Sequence, residues 1–478
     1  MNFETPDLTP VLPEMFIAGM ACLILVVDLF LSDRNRGVTH WLTLATLAGG
    51  ALLTAHLMGS GIAWTFGGMF VGDNMAHALK LVMYAATAVV LVYSREYLGY
   101  RSIYKGEYYV LTLTALLGMM IIVSAHNLLV IYLGLELLSL SLYALVAFDR
   151  DSPSASEAGM KYFVLGAIAS GVLLYGMSIL YGVTGSLDIA DLAAYATGAD
   201  PSHVGLAFAL SFVLVGLAFK IGAVPFHMWI PDVYHGAPTS VTLFIGSAPK
   251  IAAFALFMRL LVDGLGGLHE AWQGMLVILA VLSMGVGSFL AIAQSNIKRM
   301  LAYSTITHMG FILLGIMAGT TLGYQSALFY TIAYVLMASA AFGMIILLSR
   351  QGFEAERIED FKGLNERSPW FAAMMGILMF GMAGVPPLVG FHAKLSVIRA
   401  ALDAGLVWLG VAAVIFAIIS AFYYLRVVKF MYFDQPETEP RIEGSPLMRT
   451  VLSANCLAVL GLGMFPGILM AFAAYAVP

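Results

Sequence analysis

Apolar residues run through this sequence in windows of about 20, the length that carries an α-helix across a hydrocarbon core, with short polar gaps between them. The windows fall at 11–31, 39–59, 75–94, 107–125, 128–148, 158–181, 204–225, 239–262, 272–292, 297–318, 324–348, 370–402, 405–430 and 447–474. This pattern predicts an all-α integral membrane protein of fourteen transmembrane helices. Proline interrupts two of the windows, at Pro225 in the seventh and at Pro386-Pro387 in the twelfth. Helices seven and twelve are expected to be broken there, because proline lacks the N–H that the preceding turn needs.

Composition agrees with a bilayer as solvent. Of 478 residues 61% are hydrophobic and 11% charged, where a soluble domain carries about 25% charged residues. The net charge of -5 is small and unclustered, which argues against nucleic acid as a partner. Cys22 and Cys456 both lie inside apolar runs, so no disulfide framework or cysteine-ligated cluster is expected. No Walker A, dinucleotide-binding or His-Glu-x-x-His pattern occurs. The N-terminus lacks the positive region of a secretory signal, and the first window is expected to be retained as a span.

Sixteen of the 23 basic residues fall in alternate loops, from Arg34 and Arg36 in the first to Arg426, Lys429, Arg441 and Arg449 at the last. The positive-inside rule then predicts that these loops face the cytoplasm and both termini the outside. Two connections read as more than turns. Ser186–Tyr195 has helical spacing suited to an interface, and Arg357–Arg367 is charged and amphipathic; a solvated connector remains the plainer reading of each.

The sequence also repeats. Gly216–His227 aligns without gaps on Gly381–His392, Glu136 precedes Lys220 by 84 residues, and His308 precedes Lys394 by 86. Spans four to eight (107–262) and nine to thirteen (272–432) then form two five-helix units, flanked by three N-terminal helices (1–106) and a last helix (447–478). An odd helix number forces the second unit to be inverted, an arrangement that in transporters places the site near the midplane.

Seven basic residues lie in or at the ends of spans: Lys80, Lys161, Lys220, Lys250, Arg259, Lys394 and Arg399. An ammonium at the bilayer centre costs roughly 3 kcal/mol and marks an ion or proton path by default. Lys250 and Lys394 lie too deep to reach water. Lys220 sits just before Pro225, which frees the carbonyl of Ile221, as Pro249 frees that of Ile245; freed carbonyls at membrane depth need water or protein partners. Glu136, mid-span, is placed to switch the proton on Lys220. His308 follows Ser304, Thr305 and Thr307 and suits proton passage. Lys161 and Lys80 have snorkelling as an alternative; Arg259 and Arg399 read as anchors, and Trp229 and Tyr234 as interface-belt aromatics.

Lys220 through Pro238, read as K-I-G-A-V-P-F-H-M-W-I-P-D-V-Y-H-G-A-P, resembles the signature of the antiporter-like subunits of respiratory complex I and related sodium/proton antiporter complexes. The likeness extends to Lys250 and to Gly-Val-Pro-Pro-Leu-Val-Gly-Phe at 384–391. It implies a Glu136–Lys220 pair from helices five and seven, a central Lys250 and a terminal Lys394. A chain stopping at Pro478 after span fourteen, lysine at 394 where the M-type has glutamate, and Leu12-Pro-Glu-Met resemble the N-type branch. Ser240 departs from the family, which often has a second proline there.

The resemblance implies a proton-translocating NADH-quinone oxidoreductase subunit of a bacterial inner membrane, driven by quinone reduction elsewhere. NADH, FMN, iron-sulfur clusters and quinone are then expected in partner subunits, with no cofactor in this chain. M-type and K-type neighbours and the lateral helix of the L-type subunit are the implied contacts. The alternatives are a cation/proton antiporter subunit without redox coupling and a scaffold whose charges are relics.

Overall fold

The structure is a computed structural model that describes residues 6–32, 35–59, 61–198, 204–436 and 444–477. Arg34 and Arg441, counted among the loop cations, lie outside the described residues. Helices α1 (Leu12–Asp28) and α2 (Gly37–Leu57) lead into a hairpin of β1 (Ala63–Thr65) and β2 (Phe70–Gly72). Then come α3 (Asn74–Tyr100), α4 (Gly106–Ser124), α5 (Leu128–Val146), α6 (Pro153–Thr184), α7 (Ile189–Gly198) and α8 (Val204–Ile221). Short helices α9 (Trp229–Gly236), α10 (Thr239–Ile245) and α11 (Ala248–Phe257) follow, with a π-helical turn at Met258–Gly264. The remainder is α12 (His269–Ile292), α13 (Ile297–Met317), α14 (Thr321–Leu348), α15 (Leu364–Arg367), α16 (Pro369–Ala383), α17 (Val389–Asp403), α18 (Val407–Phe433), α19 (Pro446–Met464) and α20 (Pro466–Ala476).

Among the described residues 13 helical segments are long and apolar enough to cross a membrane, and α16 and α20 are shorter apolar helices. Their starts are written in the sequence. The side chains of Asp73, Asn127, Ser152, Asn296, Thr320 and Ser445 each accept from a backbone N–H in the first turn of α3, α5, α6, α13, α14 and α19. Such caps satisfy donors that lipid cannot.

Burial sorts the bundle. The segment Thr239–Gly264, α13 and α14 are almost wholly enclosed, whereas α6 and α18 turn large apolar residues such as Ile168, Ile418 and Phe422 outward. Without a hydrophobic drive between helices in lipid, close approach depends on small residues. A Cβ on Gly118 of α4 would stand 2.6 Å from the Leu138 nitrogen of α5, so those helices meet backbone to backbone.

Three expectations change. The eighth span is not one helix: Ser247 leaves the helical region and Pro249 removes a donor, so α10 and α11 are separate, with the Ser247 hydroxyl bonding the Leu243 and Phe244 carbonyls. The last window also divides, at Pro466. Finally, α7 is helical as expected but buries Ile189, Leu192 and Ala196 instead of lying free.

Candidate functional site

The two proline breaks share one backbone design. After α8, Gly222 has φ +86°, and the N–H groups of Gly222 and Ala223 both donate to Ala218 O, at 2.9 and 2.8 Å. After α16, Gly384 has φ +87°, and Gly384 and Val385 donate to Phe380 O, each at 3.0 Å. Only glycine adopts such a φ without cost. The matching positions are 162 residues apart, Gly222 with Gly384 and Pro225 with Pro387. That corrects the sequence alignment, which set Gly216 against Gly381 and so placed the breaks three residues out of register.

Each break leaves carbonyls without their helical donors, and in each a lysine supplies a donor to one of them. Lys250 Nζ donates to Ile221 O at 3.1 Å, and Lys394 Nζ donates to Ala383 O at 2.8 Å. Ile221 and Ala383 are the residues four before Pro225 and Pro387, the positions a proline strips of a partner. Both lysines are buried, 3% and 6% exposed, and each also stands over a ring, Trp229 at 5.6 Å and Phe311 at 5.3 Å.

Lys220, at the end of α8, turns instead to α5 and donates to Ser139 Oγ at 2.7 Å. Glu136, one turn before Ser139, accepts from Ser170 of α6. The expected direct Glu136–Lys220 ion pair is therefore not formed: a serine hydroxyl takes each partner, and Glu136 is only half-buried on the α5 face that carries exposed Leu133 and Leu140. Lys220 and Lys250 do share a cavity of about 40 Å³, walled by Ser139, Tyr162 and Trp229 among others. A cavity needs about 10–15 Å³ of such volume per water, so about three waters fit between the lysines.

On the far side of Lys250, hydroxyls replace cavity. Trp229 stacks on Tyr162 at 4.6 Å and touches Tyr234 edge-on at 6.4 Å. Thr305 on α13 bonds Tyr334 of α14 at 2.7 Å, and the Tyr334 ring lies 5.2 Å from His308. His308 is held through both nitrogens, Nδ1 to the Tyr330 hydroxyl at 2.7 Å and Nε2 to the Tyr424 hydroxyl at 3.0 Å. Ser304 reaches the same Tyr424 hydroxyl at 2.5 Å. Sequence reasoning missed these tyrosines and misread Trp229 and Tyr234. They are 3% and 0% exposed, packed inside the bundle.

Other expectations resolve as follows. Lys161 is exposed on α6 and bridges Glu157 at 2.8 Å and Asp232 at 2.9 Å; the structure does not bring it to the buried lysines. Arg299 holds the other oxygen of Asp232 at 2.9 Å. Partial burial raises the Asp232 carboxyl, but the bonds from Lys161 and Arg299 outweigh it and hold the group below its usual range. Lys80, read as snorkelling, is fully buried and pairs with Glu14 at 2.5 Å. Arg259, read as an anchor, is 4% exposed and clamped by Asp73 at 2.8 Å and Asp263 at 3.1 Å. Arg399 is exposed beside Asp403, as an anchor would be. Among the described residues no group of three or more His, Cys, Asp or Glu is arranged to hold a metal.

A lipid-facing helix bundle with broken helices, two of the breaks capped by buried lysines, defines an antiporter-like membrane subunit. The model of the NADH:quinone oxidoreductase/Mrp antiporter transmembrane family matches residues 125–420. NADH-quinone oxidoreductase subunit N of Thioalkalivibrio sulfidiphilus is 62% identical over 478 residues, covering 100% of both chains. A chain of respiratory complex I from Thermus thermophilus superposes with a TM-score of 0.83 at 31% identity, covering 97% of this chain and 99% of that one. A chain of the Mrp complex from a Dietzia species shares the fold, with a TM-score of 0.85 at 22% identity over 98% of this chain and 97% of that one. The chain belongs to this family, in the branch of NADH-quinone oxidoreductase subunit N.

Proposed function

We propose that protons cross the membrane in this subunit along Glu136, Lys220, Lys250, His308 and Lys394, with water and buried hydroxyls filling the gaps. The observation that carries the reading is the cavity shared by Lys220 and Lys250, together with the buried polar cluster of Thr305, Tyr334 and His308. Within it each group holds or passes one proton: Glu136 and Ser139 on α5 set the field at Lys220, water links Lys220 to Lys250, and the tyrosine hydroxyls lead to His308. Lys161, tied to Asp232 at the rim, belongs to the mouth of this route. The chain is a proton-translocating subunit of an NADH-quinone oxidoreductase, and its redox cofactors belong to other subunits.

In this reading the helices make fourteen crossings in two inverted five-helix units, both termini lie on the outer side, and the charged loops face the cytoplasm. The repeated break geometry and the loop charge asymmetry support it. The neighbours are other membrane-arm subunits, M-type and K-type among them, with the L-type lateral helix. The test replaces Lys220 or Lys250 by methionine in the intact complex and measures NADH oxidation and proton pumping together. Pumping falls with assembly kept; native pumping in both variants would sink the assignment.

A further inference from the structure

A second set of buried ionisable groups lies in the N-terminal helices, away from the lysine axis. Glu14 on α1 and Lys80 on α3 meet at 2.5 Å, with side-chain exposures of 5% and 0%. The pair is dry. Strand β2 closes over it: Phe70, Val71 and Gly72 are all buried, with the Phe70 ring 5.3 Å from Lys80 Nζ. Neither carboxylate oxygen has a hydrogen-bond partner in ideal geometry, and neither does Nζ. Two charges in such a place cost several kcal/mol each before their attraction is counted, so a purely structural link between α1 and α3 would be better made by apolar residues.

The neighbouring groups show what the pair is for. His77, one turn before Lys80 on α3, is 3% exposed and lies in the electrostatic field of both Lys80 and Asp73. Asp73 lines a cavity of about 420 Å³ at the hairpin end of the bundle, together with His126, Arg259, Asp263 and Tyr324. The remaining titratable group near the pair is Tyr84, whose hydroxyl meets Thr54 of α2 at 3.3 Å and Met120 of α4 at 3.5 Å, both uncharged. In full ionisation three carboxylates, Glu14, Asp73 and Asp263, face two cations, Lys80 and Arg259. Asp188, 3.7 Å from His126 and 30% exposed against 35% for Asp263, adds a fourth carboxylate. Fully ionised, the set carries two more negative than positive charges, and at its enclosed end, where Glu14 and Lys80 lie, an uncompensated charge is expensive.

We propose that Glu14, Lys80 and His77 form a proton-holding site that exchanges one proton with the aqueous phase at the hairpin end, through the cavity at Asp73. Uptake forms one O–H bond on Glu14 as one O–H bond of a hydronium in the cavity breaks to leave water, with His77 beside the path; release reverses it. The site stands on this geometry and not on the buried-lysine route.

The experiment uses the intact complex in proteoliposomes, with pH stepped across neutrality on each side separately and infrared difference spectra recorded in the carboxylic acid region. A protonated-carboxyl band that follows the pH of the hairpin-side compartment and is lost in Glu14→Gln is the expected result. Glu14→Gln/Lys80→Met, which removes both charges, assembles and oxidises NADH but no longer couples pumping to that pH. His77→Gln keeps the ion pair and slows the band's appearance by roughly tenfold or more. Native spectra and native pH dependence in the double variant overturn the proposal, as does an unchanged exchange rate in His77→Gln if the double variant does not assemble. A response to the opposite compartment alone overturns the route and leaves the family's proton translocation untouched.

Discussion

Replacing Lys250 separates its two jobs. Its ammonium sits 3% exposed, and its Nζ is the donor that reaches the Ile221 carbonyl across the α8 break, at 3.1 Å. Lys250→Met removes the buried charge, which is favourable by several kcal/mol. It also orphans a buried carbonyl, which costs about 1–3 kcal/mol. Lys250→Gln removes the same charge but keeps an N–H donor on a side chain whose nitrogen is one atom closer to the backbone. The difference between the two variants isolates the cap.

At about 1.4 kcal/mol per tenfold, the break opens about 5- to 150-fold more often in the methionine variant than in the glutamine variant. The amides of Gly222 and Ala223, which both donate to Ala218 O, report that opening by hydrogen–deuterium exchange in the intact complex. Neither variant pumps, since neither side chain carries a proton. Equal exchange at 218–225 in the two variants would refute the capping argument, and native pumping in either would refute the proton role.

Ser139→Ala takes away the hydroxyl that holds Lys220 at 2.7 Å; a hydrogen bond to a charged group is worth about 1.5–3 kcal/mol, so pumping per NADH drops about tenfold with assembly intact, and an unchanged ratio would count against the α5 link. Tyr334→Phe and Tyr424→Phe remove single hydroxyls beside Thr305 and His308; the expected outcome is native NADH oxidation with a lowered proton yield, measured in proteoliposomes. Arg259→Met breaks a buried cation from Asp73, Asp263 and the Val123 carbonyl; at about 3–5 kcal/mol for orphaning a buried partner, the complex fails to assemble on native gels. Gly118→Ala pushes a methyl to 2.6 Å from the Leu138 nitrogen and prises α4 from α5, which is read as lost thermal stability of the complex.

Much of this was legible in the chain because a bilayer allows so few solutions. Apolar windows had to be helices, prolines had to free carbonyls, and lysines at mid-depth had to have a reason. The Ile221 carbonyl was identifiable from Pro225 alone, although nothing local announced that Lys250, 29 positions later, supplies its donor. What escaped was pairing across long separations. Lys80 looked like a snorkelling residue because its partner Glu14 lies 66 positions away in a segment that reads as an ordinary helix start. Tyr330, Tyr334 and Tyr424 looked like filler, since a mid-span tyrosine resembles any aromatic until its hydroxyl is seen on a histidine or a threonine. The direct contact of Glu136 with Lys220 was not readable from spacing either: Ser170 holds Glu136 and Ser139 holds Lys220, one serine on each partner.

The lysine caps carry one more implication. An amine that has given up its proton still has two N–H groups, so Lys250 and Lys394 keep hold of Ile221 and Ala383 whether charged or neutral, only with about half the grip. The kinks in the scaffold thus stay closed in either state of the amine. On the proposed route charge would pass through a frame that holds, and any large movement that powers it would originate beyond these two joints.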